Sequence, residues 1–192
     1  GLVGSERALG HGRQYTARVM SDPLATSLPP KSPGPRPQAL DAPAVLRHAR
    51  RLARAEAPPW LHVELARRMA ERLSIIKLQP RRVLQWSAFL GASAAALAEA
   101  YPAAEQVWVE PLPALQERSL ALNKRSWLQS LRRQPPVKVL GPQEVAALQA
   151  ELVWANMGLH ASLDLPQTLA QWHAALAVDG FVMFSCLGPD SF

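Results

Sequence analysis

Two polar side chains lie near the ends of consecutive apolar segments and have the chemistry of cofactor ligands. Gln85 lies in the segment 82–86, and Glu110 ends the segment 106–110, 25 residues further along the chain. In a parallel α/β sheet, ligands bind beyond the carboxyl ends of the strands, where the strand order reverses. An acidic side chain at the end of the second strand can accept hydrogen bonds from both ribose hydroxyls of an adenosine cofactor. Glu110 is therefore a candidate ribose ligand.

The elements that must position these residues follow from the hydrophobic periodicity. After Pro80, short apolar segments alternate with helical ones, which predicts a mostly parallel sheet with helices on both faces, a Rossmann-like three-layer α/β sandwich. The predicted strands are 82–86, 106–110, 137–140, 152–156 and 180–185, and the predicted helices between them are 92–100, 112–127, 143–149 and 166–176. Two further helices, 44–56 and 61–77, are predicted before the first strand.

The composition divides the chain of 192 residues into two parts. Residues 1–41 contain six of the 18 prolines and half of the ten glycines, which predicts a disordered Pro/Gly-rich leader. This leader is either a plain linker or a basic organelle-targeting segment, because it has five Lys/Arg against three acidic residues. Residues 42–192 are predicted to form one domain. The first residue is Gly rather than Met, which fits a piece of a longer protein.

Several classes of protein are excluded by composition. A hydrophobic fraction of 48% is that of a globular protein. The single cysteine excludes an internal disulfide framework and fits a reducing compartment, so a cytoplasmic location is predicted. No uninterrupted apolar run reaches the roughly 18 residues that a membrane helix needs. His48, His62 and His173 lie on predicted helices without further ligands at metal spacing, so no metal site is predicted.

The remaining reactive and aromatic side chains are predicted to have structural roles. Cys186 is expected to be a small buried residue rather than a nucleophile, because no His or Asp partner is evident. Trp60, Trp154 and Trp172 are expected to pack in the core or under a lid.

Three stretches of sequence have the order and spacing of a known family. They are 80–84, 107–111 and the last 40 residues, in which 151–160 and 178–191 are the informative parts. Through them, residues from about 44 to 192 resemble a class I S-adenosylmethionine-dependent methyltransferase, and most closely the malonyl-acyl-carrier-protein O-methyltransferases of biotin synthesis. That family has seven strands, so the resemblance implies two strands beyond the five present here. It also implies an uncovered apolar edge near 181–185.

The resemblance implies that S-adenosylmethionine binds at the loop after the first strand. In the family this loop reads acid-x-Gly-x-Gly-x-Gly. This chain has Gln85 at the acid, Ser87 and Phe89 at two of the glycines, and Gly91 at the third. Glycines permit positive φ angles and a close approach of the backbone to the cofactor, which Phe89 cannot match without strain.

The resemblance also implies a role for each remaining part of the site. Gly91 and the backbone of 85–89 hold the aminoacyl end of the cofactor, Glu110 holds the ribose, and Asn156 to His160 line the methyl-transfer end. His160 is a candidate general base. A structural or solvent-facing role fits it better, because methyl transfer to a carboxylate needs no strong base.

Two functions of different classes remain open. The first is a methyltransferase acting on a carboxylate such as malonyl on acyl carrier protein, by direct in-line displacement at the sulfonium methyl. The second is a non-catalytic relative that kept the fold as an interaction or assembly module, as the altered loop allows. An NAD-dependent enzyme is disfavoured, because no Gly-x-Gly-x-x-Gly follows the first strand.

The net charge of +6 is concentrated at the front of the predicted domain. Residues 42–82 contain ten Lys/Arg and three Glu. Arg47, Arg51 and Arg54 are predicted to dock an acidic acyl carrier protein, and a merely solvated face is the alternative. Nucleic acid is a disfavoured partner, because aromatic residues are not interleaved with these arginines as stacking on bases requires.

Overall fold

The computed structural model of the protein describes residues 40–126 and 137–188, without the side chains of 124–126. The helices are α1 (Ala42–Ala53), α2 (Trp60–Glu71), α3 (Ala88–Gly91), α4 (Ala94–Ala100), α5 (Pro113–Ser126) and α6 (Leu165–Ala175). The strands are β1 (Arg82–Trp86), β2 (Glu105–Val109), β3 (Lys138–Leu140), β4 (Ala150–Asn156) and β5 (Leu176–Ser185). The predicted leader lies outside the described residues except for 40 and 41, and it stays a prediction.

The five strands form one parallel sheet in the order β3-β2-β1-β4-β5. The chain moves outward from β1 through β2 to β3 and then returns to place β4 on the other side of β1. The strand order therefore reverses between β1 and β4, and Gln85 of β1 is in register with Trp108 of β2 and Trp154 of β4. The predicted α/β fold class is confirmed.

Alternating side chains of the central strands pack against helices on both faces of the sheet, as the period of a strand requires. One face contributes Leu84, Val107 and Val153 to a core that includes Trp172 of α6. The opposite face contributes Val83, Leu152 and Trp154 to a core that includes Leu97 of α4 and Met69 of α2. Because Val83, Leu84 and Val107 are completely buried, β1 and β2 hold the adjoining loops on a rigid base.

A third, smaller core attaches α1 to the loop after β1. Ala49 of α1, Phe89 of α3 and Leu115 of α5 are buried against one another. The guanidinium of Arg118 lies 5.3 Å from the centroid of the Phe89 ring, at a distance typical of a cation–π contact. Phe89 therefore packs toward α1 and α5.

The structure corrects several predicted boundaries. The helix predicted over 92–100 begins at Ala94 as α4, and a short additional helix, α3, precedes it, with Ala92 at a positive φ of 53° between the two. The predicted helix 61–77 ends at Glu71 and continues as a 3₁₀ helix, Arg72–Ile75. The helix predicted over 143–149 is reduced to a 3₁₀ turn, Pro142–Glu144.

The last strand is longer than predicted, since β5 begins at Leu176 rather than at 180. The pairing with β4 passes from Ala150–Leu176 directly to Leu152–Phe181, so β5 carries extra residues at this point. Gly180 lies in this irregularity, where a Cβ atom would come within 2.9 Å of the Ala150 carbonyl oxygen. β5 ends the sheet, and Phe184 on it is 49% exposed.

Two packing predictions are wrong. Trp60 is 78% exposed at the start of α2, and Cys186 is exposed after β5. Trp154 and Trp172 are buried as predicted. Among the residues that the structure describes, no helix is long and apolar enough to cross a membrane.

Candidate functional site

A cavity of about 570 Å³ opens at the carboxyl ends of β1, β2 and β4. The ends of these strands and the loops after them contribute to its lining Trp86, Ser87 and Leu90, then Pro111 and Leu112, and then Met157, Gly158 and His160. Helices α1 and α2 close a second side through residues that include Val45, His48, Leu52 and His62, and the start of α6 closes a third. The cavity therefore occupies the point of strand-order reversal, where parallel α/β sheets bind their ligands.

In the loop after β1, a serine adopts the backbone conformation that usually requires glycine. Ser87 adopts the left-handed conformation, with φ 54° and ψ 51°. Its N–H donates to the Val109 carbonyl at 2.8 Å, and its own carbonyl accepts from the Gly91 N–H at 2.7 Å. Since a non-glycine residue with this backbone is strained, the surrounding hydrogen bonds hold the turn in place.

The loop after β4 approaches the same turn closely. Met157 also has a positive φ, 54°, and lines the cavity. A Cβ atom on the neighbouring Gly158 would lie 3.0 Å from Ser87 Oγ, so a side chain at 158 would displace Ser87. The two loops thus form one continuous, tightly packed wall.

Glu110 lies just after β2, as predicted, and its carboxylate is 1% exposed. Its Oε1 accepts hydrogen bonds from the Phe89 N–H and from the Ser119 hydroxyl, each at 2.7 Å. Its Oε2 has no hydrogen-bond partner among the described residues. Burial raises the pKa of Glu110 to about 7, although the two hydrogen bonds favour the charged form.

Gln85 is not among the residues that line the cavity. Its side chain is 1% exposed, and its Nε2 donates to Gln106 Oε1 of the neighbouring strand at 3.0 Å. Its Oε1 has no hydrogen-bond partner among the described residues, and the predicted contact of Gln85 with the aminoacyl end of a cofactor stays a prediction. The cross-strand amide pair stabilises β1 against β2.

Asn156 connects three elements at the end of β4. Its Nδ2 donates to the carbonyl oxygens of His62 and Gly91, both at 2.7 Å, and its Oδ1 accepts from the Ser185 hydroxyl at 2.6 Å. The side chain is completely buried. Asn156 thereby fixes α2 and α3 to the sheet and positions the cavity wall.

The six predicted site residues therefore surround one turn, and one of them, Ser87, lines the cavity. Phe89, Gly91, Glu110 and Asn156 support that turn through the contacts described above, and Gln85 precedes it in β1. Their predicted roles as cofactor ligands stay predictions.

Histidines form the titratable part of the cavity, and sequence reasoning assigned no common site to them. His48 of α1, His62 of α2 and His160 after β4 line it together. The rings of His62 and His160 are nearly perpendicular, with centroids 6.4 Å apart. Partial burial lowers the pKa of His160, and the proximity of His62 and His48 lowers it further. The sequence did not indicate this grouping, because His62 and His160 lie far apart along the chain.

Curated relatives support the resemblance drawn from the sequence. The chain is 35% identical over 140 residues to the malonyl-[acyl-carrier protein] O-methyltransferase of Gallionella capsiferriformans, a match covering 71% of this chain and 48% of the relative. It is 31% identical to the enzyme of that name from a Methylovorus species, with 71% and 47% covered. This chain thus spans about half the length of these relatives. No model of a protein family matches it.

Solved structures show the fold. A candidate O-methyltransferase from Nostoc punctiforme superposes with a TM-score of 0.50 at 23% identity, covering 75% of this chain and 41% of the other. The plantazolicin methyltransferase BpumL, in complex with a pentazolic desmethylPZN analog and SAH, superposes with a TM-score of 0.51 at 12% identity, covering 69% of this chain and 49% of the other. The described sheet and helices therefore have the Rossmann-like fold of methyltransferases.

Proposed function

We propose that the domain binds S-adenosylmethionine and transfers its methyl group to a carboxylate, that of malonyl carried on acyl carrier protein. The observation that carries the proposal is the cavity formed by the loops after β1, β2 and β4, in a chain similar to enzymes named for that reaction. The size of the cavity, about 570 Å³, is in the usual range for a small-molecule site.

The residues at the adenosine end fit this cofactor. The unpartnered Oε2 of Glu110 is the acceptor that a ribose hydroxyl requires, and the next two residues, Pro111 and Leu112, line the cavity. A ribose hydroxyl donating to Oε2 would satisfy a buried atom that otherwise costs free energy. Ser87 preserves the left-handed turn that a glycine would supply.

The cofactor, when bound, supplies an electrophilic methyl group on a sulfonium. The protein then has to orient the two reactants and exclude water. Apolar side chains of α1, among them Val45 and Leu52, and Leu90 and Leu112 from the loops form much of the wall that excludes water. Asn156 holds that wall together through its bonds to His62 and Gly91.

Helix α1 suggests how an acyl carrier protein would reach the cavity. One side of the helix lines the cavity through Val45, His48 and Leu52. Arg47, Arg51 and Arg54 follow one another at helical spacing on the adjacent, exposed side. An acidic partner bound to these arginines would lie next to the cavity that receives its acyl group.

The non-catalytic module remains the second candidate. The observation in its favour is Gln85, which replaces the acid of the family's loop and is buried against Gln106. In that case the cavity would be retained for packing or for another ligand, and S-adenosylmethionine would not bind.

Calorimetric titration of the 192-residue chain with S-adenosylhomocysteine separates the two candidates. We expect saturable binding that weakens about tenfold or more in Glu110→Ala, because a charge-assisted hydrogen bond contributes about 1.5–3 kcal/mol. Glu99→Ala, on the exposed side of α4, is the matched control. Absence of binding at millimolar ligand would favour the module.

Methyl transfer is tested with S-adenosylmethionine carrying a labelled methyl group. Malonyl-acyl carrier protein is expected to accept the label, and acetyl-acyl carrier protein, which lacks the free carboxylate, is not. Equal labelling of both would refute the carboxylate as the acceptor.

Docking is tested by reversing the charges of Arg47, Arg51 and Arg54 to Glu. Binding of the carrier is expected to weaken and to lose its dependence on salt. Reversal of Arg72, Lys77 and Arg81, which are also exposed, makes the same change in net charge away from α1. If both sets of changes weaken binding equally, the arginines of α1 form no specific docking face.

A further inference from the structure

Three histidines from three separate elements line the candidate cavity. His48 is on α1, His62 is near the start of α2, and His160 is in the 3₁₀ turn Leu159–Ala161 after β4. His62 and His160 are in edge-to-face contact at 6.4 Å between ring centroids. A ligand in this part of the cavity would therefore meet more than one imidazole.

The hydrogen bond of His62 places a proton on Nδ1 of its ring. Nδ1 lies 2.8 Å from the Leu90 carbonyl oxygen, and because a carbonyl oxygen can only accept, Nδ1 carries the proton. Within the described part of the chain, Nε2 has no hydrogen-bond partner. In the neutral ring this nitrogen has a lone pair and no proton, so it can donate to an anion only after the ring gains a second proton.

Apart from the histidines, the described cavity lining contains one ionisable side chain. Its described residues include no Lys or Arg, and Asp164 is the one acid among them. The carboxylate of Asp164 accepts from the Gln167 N–H at 2.8 Å and caps α6. Within the same residues, no group of three His, Cys, Asp or Glu side chains has an arrangement that could hold a metal ion.

These features favour an anionic ligand. Partial burial and the mutual proximity of the three rings disfavour positive charge on His160 in the free cavity. An anion placed among the rings favours the charged imidazolium instead, because it stabilises the positive charge and accepts charge-assisted hydrogen bonds from the ring. A neutral ligand offers no such compensation.

We propose that His48, His62 and His160 form a proton-linked binding site for a carboxylate, which takes up a proton when the carboxylate binds. The inference rests on the proposed function, which brings two carboxylates to this cavity, that of the malonyl group and that of the cofactor's amino acid. The histidines act as binding residues that orient the carboxylate, and they remove no proton from it.

The experiment compares ligands that differ by one carboxylate. Malonyl-pantetheine is paired with acetyl-pantetheine, and S-adenosylhomocysteine with its decarboxylated analogue, each titrated into the 192-residue chain between pH 6 and pH 8.5. Titration in buffers of different ionisation enthalpy counts the protons exchanged. We expect one carboxylate ligand to bind with proton uptake and to weaken as the pH rises, by up to about tenfold per pH unit for one proton. Its partner without the carboxylate is expected to bind without this proton uptake.

Variants assign the effect to the histidines. His160→Gln and His62→Gln are expected to weaken binding of the ligand that shows proton uptake by about tenfold or more, and to abolish that uptake. His173→Gln, on the exposed side of α6, is expected to change neither. If the buried His62 cannot be replaced without unfolding, the result for His160→Gln decides.

The outcomes separate the two sources of carboxylate and the two proposals. If the malonyl ligand binds with proton uptake, the carboxylate among the histidines is that of the methyl acceptor. If S-adenosylhomocysteine does so, it is that of the cofactor. If S-adenosylhomocysteine binds but neither the carboxylate nor the histidines affect affinity or proton uptake in either pair, the histidine site is overturned and the proposed function is left intact. Failure of all four ligands to bind overturns both.

Discussion

Glu110 is expected to make the stability of the domain fall as the pH rises from about 4.5 to 7. Burial raises its pKa from 4.5 to about 7 in the folded chain, so between these values the folded state holds a proton that the unfolded state has lost. Each pH unit of this window corresponds to about 1.4 kcal/mol, and the full loss of stability above pH 7 is about 3 kcal/mol. Below pH 4.5 the carboxyl is protonated in both states and the effect vanishes.

The substitution Glu110→Gln removes this titration and keeps the shape of the side chain. The amide oxygen can still accept from the Phe89 N–H and the Ser119 hydroxyl, although less strongly than a carboxylate. We therefore expect the variant to be about 2 kcal/mol more stable than the unaltered chain at pH 8. Near pH 5 we expect the two chains to have nearly equal stability.

Urea unfolding at pH 5, 6, 7 and 8 measures the difference, with Glu99→Gln as the control for an exposed acid. His160 has the opposite effect, because its lowered pKa makes stability rise with pH near and below 6.5. This contribution is common to both chains and cancels in the comparison. A constant difference between Glu110→Gln and the unaltered chain at all four pH values would refute the reasoning.

Two further predictions concern the walls of the cavity. Ser87→Gly is expected to stabilise the chain by about 1 kcal/mol in urea unfolding, because φ is 54° at this position, whereas Ala96→Gly inside α4 is expected to destabilise it by about as much. Destabilisation by both would mean that no strain is stored at Ser87. Asn156→Ala is expected to cost about 2–4 kcal/mol in the same assay, because two buried carbonyl oxygens lose their donor. The control Asn123→Ala removes one half-buried hydrogen bond and should cost about 1 kcal/mol. An equal loss of stability in the two variants would argue against the role of Asn156 in fixing α2 and α3 to the sheet.

The strands were predictable because their signal is local. An apolar run such as 82–86 is buried on both faces of a parallel sheet, and its length and bounding residues identify it. The boundaries that failed depend on tertiary packing. Nothing in the local sequence marks the left-handed Ala92 that divides α3 from α4, and the extension of β5 to Leu176 depends on its pairing with Ala150 of β4.

The sequence predicted where the site lies in the fold, but not how its side chains are oriented. The end of β2 places Glu110 next to Pro111 and Leu112, which line the cavity, because parallel strands end together. The direction of its carboxylate depends on Phe89 and Ser119, and that of Gln85 on Gln106, 21 residues away. Asn156 lies 94 residues from His62, whose carbonyl oxygen it binds. These hydrogen-bonded pairs depend on how elements distant in the sequence pack together, and hydrophobic periodicity does not predict that packing.

The charges of Glu110 and of the histidines predict opposite proton balances for ligands at the two ends of the cavity. A ribose hydroxyl donating to Oε2 of Glu110 stabilises the ionised carboxylate and lowers its pKa from about 7. Binding of S-adenosylhomocysteine at pH 6 to 7 is therefore expected to release a fraction of a proton from this group, whereas a carboxylate among the histidines takes one up. Calorimetry of Glu110→Gln isolates the first effect, since the variant retains the histidines and has no proton to release at 110. Identical proton counts for the variant and the unaltered chain would show that the cofactor does not reach the Glu110 carboxylate.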